Sequence, residues 1–263
     1  MTRIDCQGIP AGSFAGSQLL QEARRQFVEQ GFVILDHVIA APTVRSLREE
    51  FVRQYARYFD DREADDSLEV GERRFMVPIG LIGGFADPAV FANPYVVALV
   101  REVLDQDAIL EAYGAVVSLS GSAAQPAHQD AAPLFNSALS TVLPAHALTC
   151  GIPLVEMNDL HGTTALWPQS HRSADAPLDD VVVAPERPTI PVGSCLLWDF
   201  RLFHSGTANR SGEHRPMLYA TYARRWYQDP VNFRKRTIPR LVFEPAFLEG
   251  LADDTRNLFA HVR

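Results

Sequence analysis

His128 and Asp130 stand one residue apart in the stretch QPAHQDAAPLF, residues 125–135. On an extended strand, side chains at i and i+2 point to the same face. The pair is therefore either an ordinary polar strand face or two of the three protein ligands of a metal site. An iron(II) centre held by two histidines and one carboxylate needs another histidine from elsewhere in the chain, and it leaves open positions for substrate and oxygen. The other histidines are His37, His146, His161, His171, His204, His214 and His261. His204 is the best placed, because it follows the strand-like run GSCLLWDFRLF and opens the turn-rich HSGTANRSGEHR. Arg215 comes eleven residues later, on the next strand-like run. A guanidinium is a planar, two-pronged donor suited to clamping the far carboxylate of a dicarboxylate that chelates a metal. His-x-Asp alone is a weak signal. His-x-Asp followed by a histidine at a strand end and then an arginine is a stronger one.

The elements that must position these residues change character along the chain. The first hundred residues read mainly as helix. SQLLQEARRQFVEQG carries apolar residues at helical spacing, and Gly31 suits the position after a helix end. FVILDHVI reads as a short buried strand. APTVRSLREEFVRQYARYF has Pro42 near its start and repeats Leu47, Phe51 and Tyr55 at i, i+4. NPYVVALVREVLDQD is a further amphipathic helix. After about residue 108, strand-like runs follow one another: ILEAYGAVVSLSG, ALTCGIPLVEM, TTALWP, DVVVAP, SCLLWDFRLF and MLYATYARRWY, separated by Gly, Pro, Asp and Ser. Such a series predicts a sandwich or barrel. The tail PAFLEGLADDTRNLFAHV reads as a closing helix. With no linker or repeat, the expectation is one domain, 1–263. It comprises a helical part at about 17–107, a β core at about 108–228 and a tail at 229–263.

Composition narrows the function classes. The chain has 263 residues, 47% hydrophobic and 21% charged, with a formal charge of −8, which argues against nucleic acid as the main partner. No window approaches the ~20 apolar residues of a membrane span, and the N-terminus has no signal-peptide core. The three cysteines, Cys6, Cys150 and Cys195, are far apart and suit a reducing compartment. The expectation is a cytoplasmic protein acting on a small molecule. The sequence leaves its oligomeric state open.

The order AHQD, then GTTALWPQSHR, then GSCLLWDFRLFHSGTANRSGEHRPMLYATY resembles the phytanoyl-CoA dioxygenase family of iron(II)- and 2-oxoglutarate-dependent oxygenases. The resemblance runs from about GFVIL to RRWYQD. It implies a mainly β fold with flanking helices around a double-stranded β-helix, the jelly-roll or cupin-like core. It implies iron(II) bound by His128, Asp130 and His204, with 2-oxoglutarate and O2 as co-substrates. It further implies Arg215 as the carboxylate clamp, Thr164 as a co-substrate contact and Gln125 in a similar part. Related halogenases replace the carboxylate ligand with a small residue, so Asp130 points to oxygenation. The chain departs from the family pattern at His161-Gly162, where Asn-Gly is common, at Gln169 in Pro168-Gln169-Ser170-His171, where glycine is usual, and in placing Gln125 three residues before His128. The activity implied is oxidation, foremost hydroxylation, of an unactivated C–H bond in a small, fairly apolar metabolite of natural-product biosynthesis, with desaturation, epoxidation and rearrangement as the other outcomes found in the family. A non-catalytic jelly-roll binding protein and a cupin-like enzyme working without 2-oxoglutarate stay open as alternatives.

Plainer readings apply to several residues. Thr164 needs no function to sit in a strand. Trp198 reads as core, Asn209 as a turn former, and His161 and His171 as loop hydrogen-bonders. His214 should face away from Arg215. Arg73 and Arg74 read as a solvated pair, although Arg74 or Met76 of RRFMVPIG could reach a substrate pocket. The apolar loop after Asp130 reads as either a packed connection or a lid, with Leu134 and Phe135 facing substrate.

Overall fold

The computed structural model describes residues 3–60, 64–131, 134–135, 138–173, 183–233 and 238–262. Ten strands are defined among them: β1 Arg3–Asp5, β2 Phe32–Asp36, β3 Leu68–Gly71, β4 Arg74–Pro78, β5 Ile109–Ser118, β6 Ala147–Pro153, β7 Thr164–Leu166, β8 Cys195–Asp199, β9 His204–Gly206 and β10 Arg215–Ala223. Eight form one sheet in the order β1-β2-β8-β6-β10-β5-β4-β3, and β7 and β9 form a second, small sheet facing it. Within the large sheet every pairing is antiparallel except that of β1 with β2. This is the mainly β, double-layered core expected from the sequence.

The helices close one face of the large sheet. Helix Gln18–Gln30 begins at Ser17, whose hydroxyl accepts a hydrogen bond from the Leu20 N–H, and ends at Gly31 in the left-handed conformation at φ +86°. Helices Ala41–Tyr55 and Pro94–Val103 each carry proline in the first turn. Their buried stripes, with Leu20, Phe27, Leu47, Phe51, Val96 and Val100, pack with outward-facing sheet residues such as Leu218, Ala220 and Tyr222 in the main apolar core. The strands between helices and small sheet are therefore buried on both faces. All nine residues of β10 are buried, and its alternation is between core and site rather than core and water.

Three expectations need correction. The β3–β4 hairpin lies within the part read as helical, because a five-residue run, RFMVP, carries no helical period and was not read as a strand. The tail is two short helices, Pro245–Glu249 and Asp253–Arg256, broken at Gly250, rather than one closing helix. Arg74 is not solvated: it is wholly buried, whereas Arg73 turns at φ +54° and donates to the Ser120 carbonyl. The first half of the strand-like run DVVVAP, residues 180–182, lies outside the described residues, and residues 183–185 are not in a strand.

Candidate metal and co-substrate site

The two sheets meet around a cavity lined on one side by the small sheet and on the other by β4, β5, β6, β8 and β10. His128 extends the small sheet. Its N–H donates to the His204 carbonyl at 2.9 Å and the His204 N–H donates back at 2.9 Å, so the two imidazoles lie side by side with ring centroids 4.4 Å apart. Asp130 is fixed by its N–H on the Phe200 carbonyl. One ligand atom from each of His128, Asp130 and His204 falls within 4.8 Å of the others, and among the described residues no other trio of His, Cys, Asp or Glu converges in this way.

The hydrogen bonds around the trio leave the right atoms free for a metal. Each histidine places Nδ1 at 3.0 Å from a backbone carbonyl, Pro126 for His128 and Leu202 for His204. A carbonyl only accepts, so Nδ1 carries the proton and Nε2 keeps its lone pair for the cavity. Asp130 is polarised likewise. Its Oδ2 accepts from Trp198 Nε1 at 3.0 Å and from the Thr149 hydroxyl at 3.4 Å, which leaves Oδ1 at 3.6 Å from His204 Nε2. Burial lowers the pKa of His204 despite the pull of Asp130, favouring the neutral, ligating form. Two neutral imidazole nitrogens and one carboxylate oxygen make a donor set that fits a divalent metal such as iron(II).

Behind this trio lie Arg215, Thr164, Gln125 and Gly206. Arg215 is 2% exposed; it donates to the Ser118 hydroxyl at 2.5 Å and to the Gly162 carbonyl at 3.4 Å, and its Nε has no partner. Thr164 stands opposite Gly206 in the β7–β9 pair. The Gln125 amide is tied at both ends, its Oε1 accepting from Arg74 and from the Gly206 N–H and its Nε2 donating to the Val70 carbonyl. A Cβ at Gly206 would lie 1.8 Å from Arg74 Nη1 and 2.7 Å from Gln125 Oε1, so a larger residue there would displace these two side chains. Gln169 adopts the left-handed conformation at φ +67°, which glycine takes up most readily.

The structure thus gathers His128, Asp130, His204, Arg215, Thr164, Gln125 and Met76 around one cavity. It does not bring Leu134, Phe135 or Arg74 to its wall. Leu134 packs on the Ala131, Phe200 and Tyr227 cluster, Phe135 is 56% exposed, and Arg74 lies behind Gln125 and Gly206. Sequence reasoning missed Trp198 and Thr149 as partners of Asp130. It also missed Tyr219, Thr221, Asp229, Asn232 and Phe233, which complete the wall. Period-two counting from Arg215 would have found Tyr219 and Thr221, since Arg215, Met217, Tyr219 and Thr221 occupy one face of β10.

The sequence profile of the phytanoyl-CoA dioxygenase family matches residues 27–217, which is 191 of the 263 residues. The fold is shared with solved structures, among them the following three. One is SnoN, a non-heme α-ketoglutarate-dependent epimerase of nogalamycin biosynthesis: TM-score 0.61 and 20% identity over 81% of this chain and 87% of that one. Another is HygX from Streptomyces hygroscopicus, with nickel, 2-oxoglutarate and hygromycin B bound: 0.60 and 18% over 77% and 86%. The third is AviO1 from Streptomyces viridochromogenes: 0.61 and 20% over 78% and 95%. No helix among the described residues is long and apolar enough to cross a membrane.

Proposed function

Because the chain belongs to the phytanoyl-CoA dioxygenase family, we propose that it is an iron(II)- and 2-oxoglutarate-dependent oxygenase acting on a small molecule. The observation that carries this reading is the meeting of His128, Asp130 and His204 with an unpaired buried guanidinium, Arg215, in one cavity. A jelly-roll module that only binds has no use for both. With iron(II) bound, 2-oxoglutarate and O2 supply a two-electron oxidation: the co-substrate leaves as succinate and CO2, and one oxygen atom goes to succinate and one to the product.

The chain's own residues do the positioning. His128, Asp130 and His204 hold the metal, and Trp198 and Thr149 hold Asp130 so that one oxygen faces inward. Arg215 takes the far carboxylate of the co-substrate, and Thr164 and Gln125 border it. Val70, Met76, Val116 and Phe233 offer an apolar surface to the substrate, while Tyr219, Thr221, Asp229 and Asn232 offer polar groups. That wall suits a fairly apolar metabolite bearing a few hydrogen-bonding groups, as in a tailoring step of natural-product biosynthesis within the cytoplasm. Hydroxylation of a C–H bond is the principal outcome. Epimerisation is the second reading, since SnoN shares the fold; inversion leaves the substrate's oxidation state unchanged, so in that case an external two-electron reductant would be needed and the second oxygen atom would leave as water.

The test is spectroscopic. Protein loaded anaerobically with iron(II) and then 2-oxoglutarate should show the weak visible charge-transfer band of the chelate. His128→Ala should abolish it, and Arg215→Met should demand far more 2-oxoglutarate to reach it. Bound iron with no band in the wild type would sink the reading in favour of a metal enzyme that does not use 2-oxoglutarate.

A further inference from the structure

Arg74 is buried completely, and nothing in the reading above uses it. In the sheet, Arg74 of β4 stands opposite Ser118 of β5, and Ser118 stands opposite Arg215 of β10. Residues directly opposite one another project to the same face. The row is therefore guanidinium, hydroxyl, guanidinium on one face of the sheet, with Arg215 at the cavity wall and Arg74 directly behind Gln125 and Gly206. Arg74 donates to Gln125 Oε1 at 2.8 Å and to the carbonyls of Thr207 at 2.8 Å and Ala123 at 3.2 Å, and its Nε has no partner. Neither arginine has a carboxylate partner among the described residues. Burial pushes Arg74 down to about 10 and Arg215 down to about 9, and Arg74 adds to the shift of Arg215, so each cation makes the other harder to bury.

Two buried like charges with no counter-ion are unfavourable in the empty protein. They make sense if the anion arrives as a ligand. On the reading that the cavity takes 2-oxoglutarate, we propose that Arg74 is a second cationic positioning residue for that dicarboxylate. It fixes Gln125 and Gly206 at the cavity wall and adds a positive field where Arg215 meets the far carboxylate. The site then selects dianionic 2-oxo acids over monoanionic ones by charge as well as by length.

The experiment compares 2-oxoglutarate with pyruvate, which keeps the chelating 2-oxo acid but lacks the far carboxylate. Calorimetry on nickel-loaded wild type, Arg74→Met and Arg74→Lys gives both affinities, and thermal unfolding of the metal-free proteins gives stability. Arg74→Met should bind 2-oxoglutarate roughly tenfold more weakly, a difference of about 1.4 kcal/mol, and pyruvate as before, while unfolding no earlier than wild type. Arg74→Lys keeps the charge and should keep most of the 2-oxoglutarate affinity. Equal loss for both ligands with reduced stability would make Arg74 merely structural and overturn the inference. So would a variant that binds 2-oxoglutarate as tightly as wild type does. A wild type that binds pyruvate and 2-oxoglutarate equally, or neither, overturns the 2-oxoglutarate reading itself, and the inference falls with it.

Discussion

At the end of β8, Arg201 is buried against Asp199, with Nε on Oδ1 at 2.9 Å and Nη2 on Oδ2 at 2.7 Å. Across the sheet, where β4, β5 and β10 line up, Arg74 and Arg215 are buried against hydroxyl, amide and carbonyl oxygens only. The two regions hold the same side chain at similar depth. They differ in whether the chain supplies the anion. Where it does, the charge fixes a corner of the fold. Where it does not, the charge is left for a ligand to neutralise.

The largest effect that can break this comparison is on folding. Burial pushes the Asp199 carboxyl up, but the hydrogen bonds from Arg201 outweigh it and hold the pKa below the ordinary value. Asp199→Asn leaves Arg201 buried without its counter-charge and should cost about 3–5 kcal/mol of stability. Arg215→Met, in the metal-free protein, should cost none or stabilise, because it removes an unpaired charge. Urea unfolding of both variants reads the difference. Equal destabilisation would show that Arg215 is as structural as Arg201, and the distinction between the two regions would collapse.

Glu111 and Arg240 form an intermediate case that sharpens the comparison through pH. Arg240 donates to Glu111 Oε1, and the Asp229 N–H donates to the same oxygen, yet Glu111 Oε2 has no partner. Burial outweighs the pull of Arg240 and raises Glu111 to about 7. The folded state therefore holds a proton that the unfolded chain releases near pH 4.3. Its contribution to stability is whole below that pH and is lost as pH rises to about 7, at up to about 1.4 kcal/mol per pH unit. Glu111→Gln should flatten that slope in unfolding measured from pH 4.5 to pH 7.5. An unchanged slope would mean that Arg240 compensates the carboxylate fully, as Arg201 compensates Asp199.

These contrasts mark the limit of what the sequence could disclose. The grouping of His128, Asp130, His204 and Arg215 was legible because side chains at i and i+2 share a strand face and because a histidine at a strand end followed by an arginine on the next strand has a definite chemical use. The three main helices were legible from apolar period, with Gly31 and Pro42 as end signals for two of them; the Ser17 and Asn93 caps are visible only in the structure. Arg74 was not, because an Arg-Arg pair after an acidic turn looks solvated until β3 and β4 are seen to form a hairpin on the sheet edge. Trp198 was read as core, and it is buried. Only its Nε1, 3.0 Å from Asp130, shows its second task, and no local pattern encodes a contact across 68 residues.

The smallest predicted effect carries the same comparison to uncharged groups. Tyr113 and Tyr219 are both buried, and neither hydroxyl has a hydrogen-bond partner among the described residues. Tyr113 lies in the main apolar core, with no exposed surface. Tyr219 faces the cavity beside Thr221 and Asp229. A hydroxyl orphaned in dry core costs stability, whereas one on a cavity wall can be met by water or by a ligand. Tyr113→Phe should therefore stabilise the metal-free protein by up to about 1 kcal/mol, and Tyr219→Phe should leave it unchanged within about 0.5 kcal/mol. Chemical denaturation of the two single variants decides the point. If Tyr219→Phe gives the larger gain, its hydroxyl is a frustrated core group, and the polar end of the cavity shrinks to Thr221, Asp229 and Asn232. If the gain belongs to Tyr113, the Tyr219 hydroxyl stays available to the substrate, and its loss should appear only once substrate is bound.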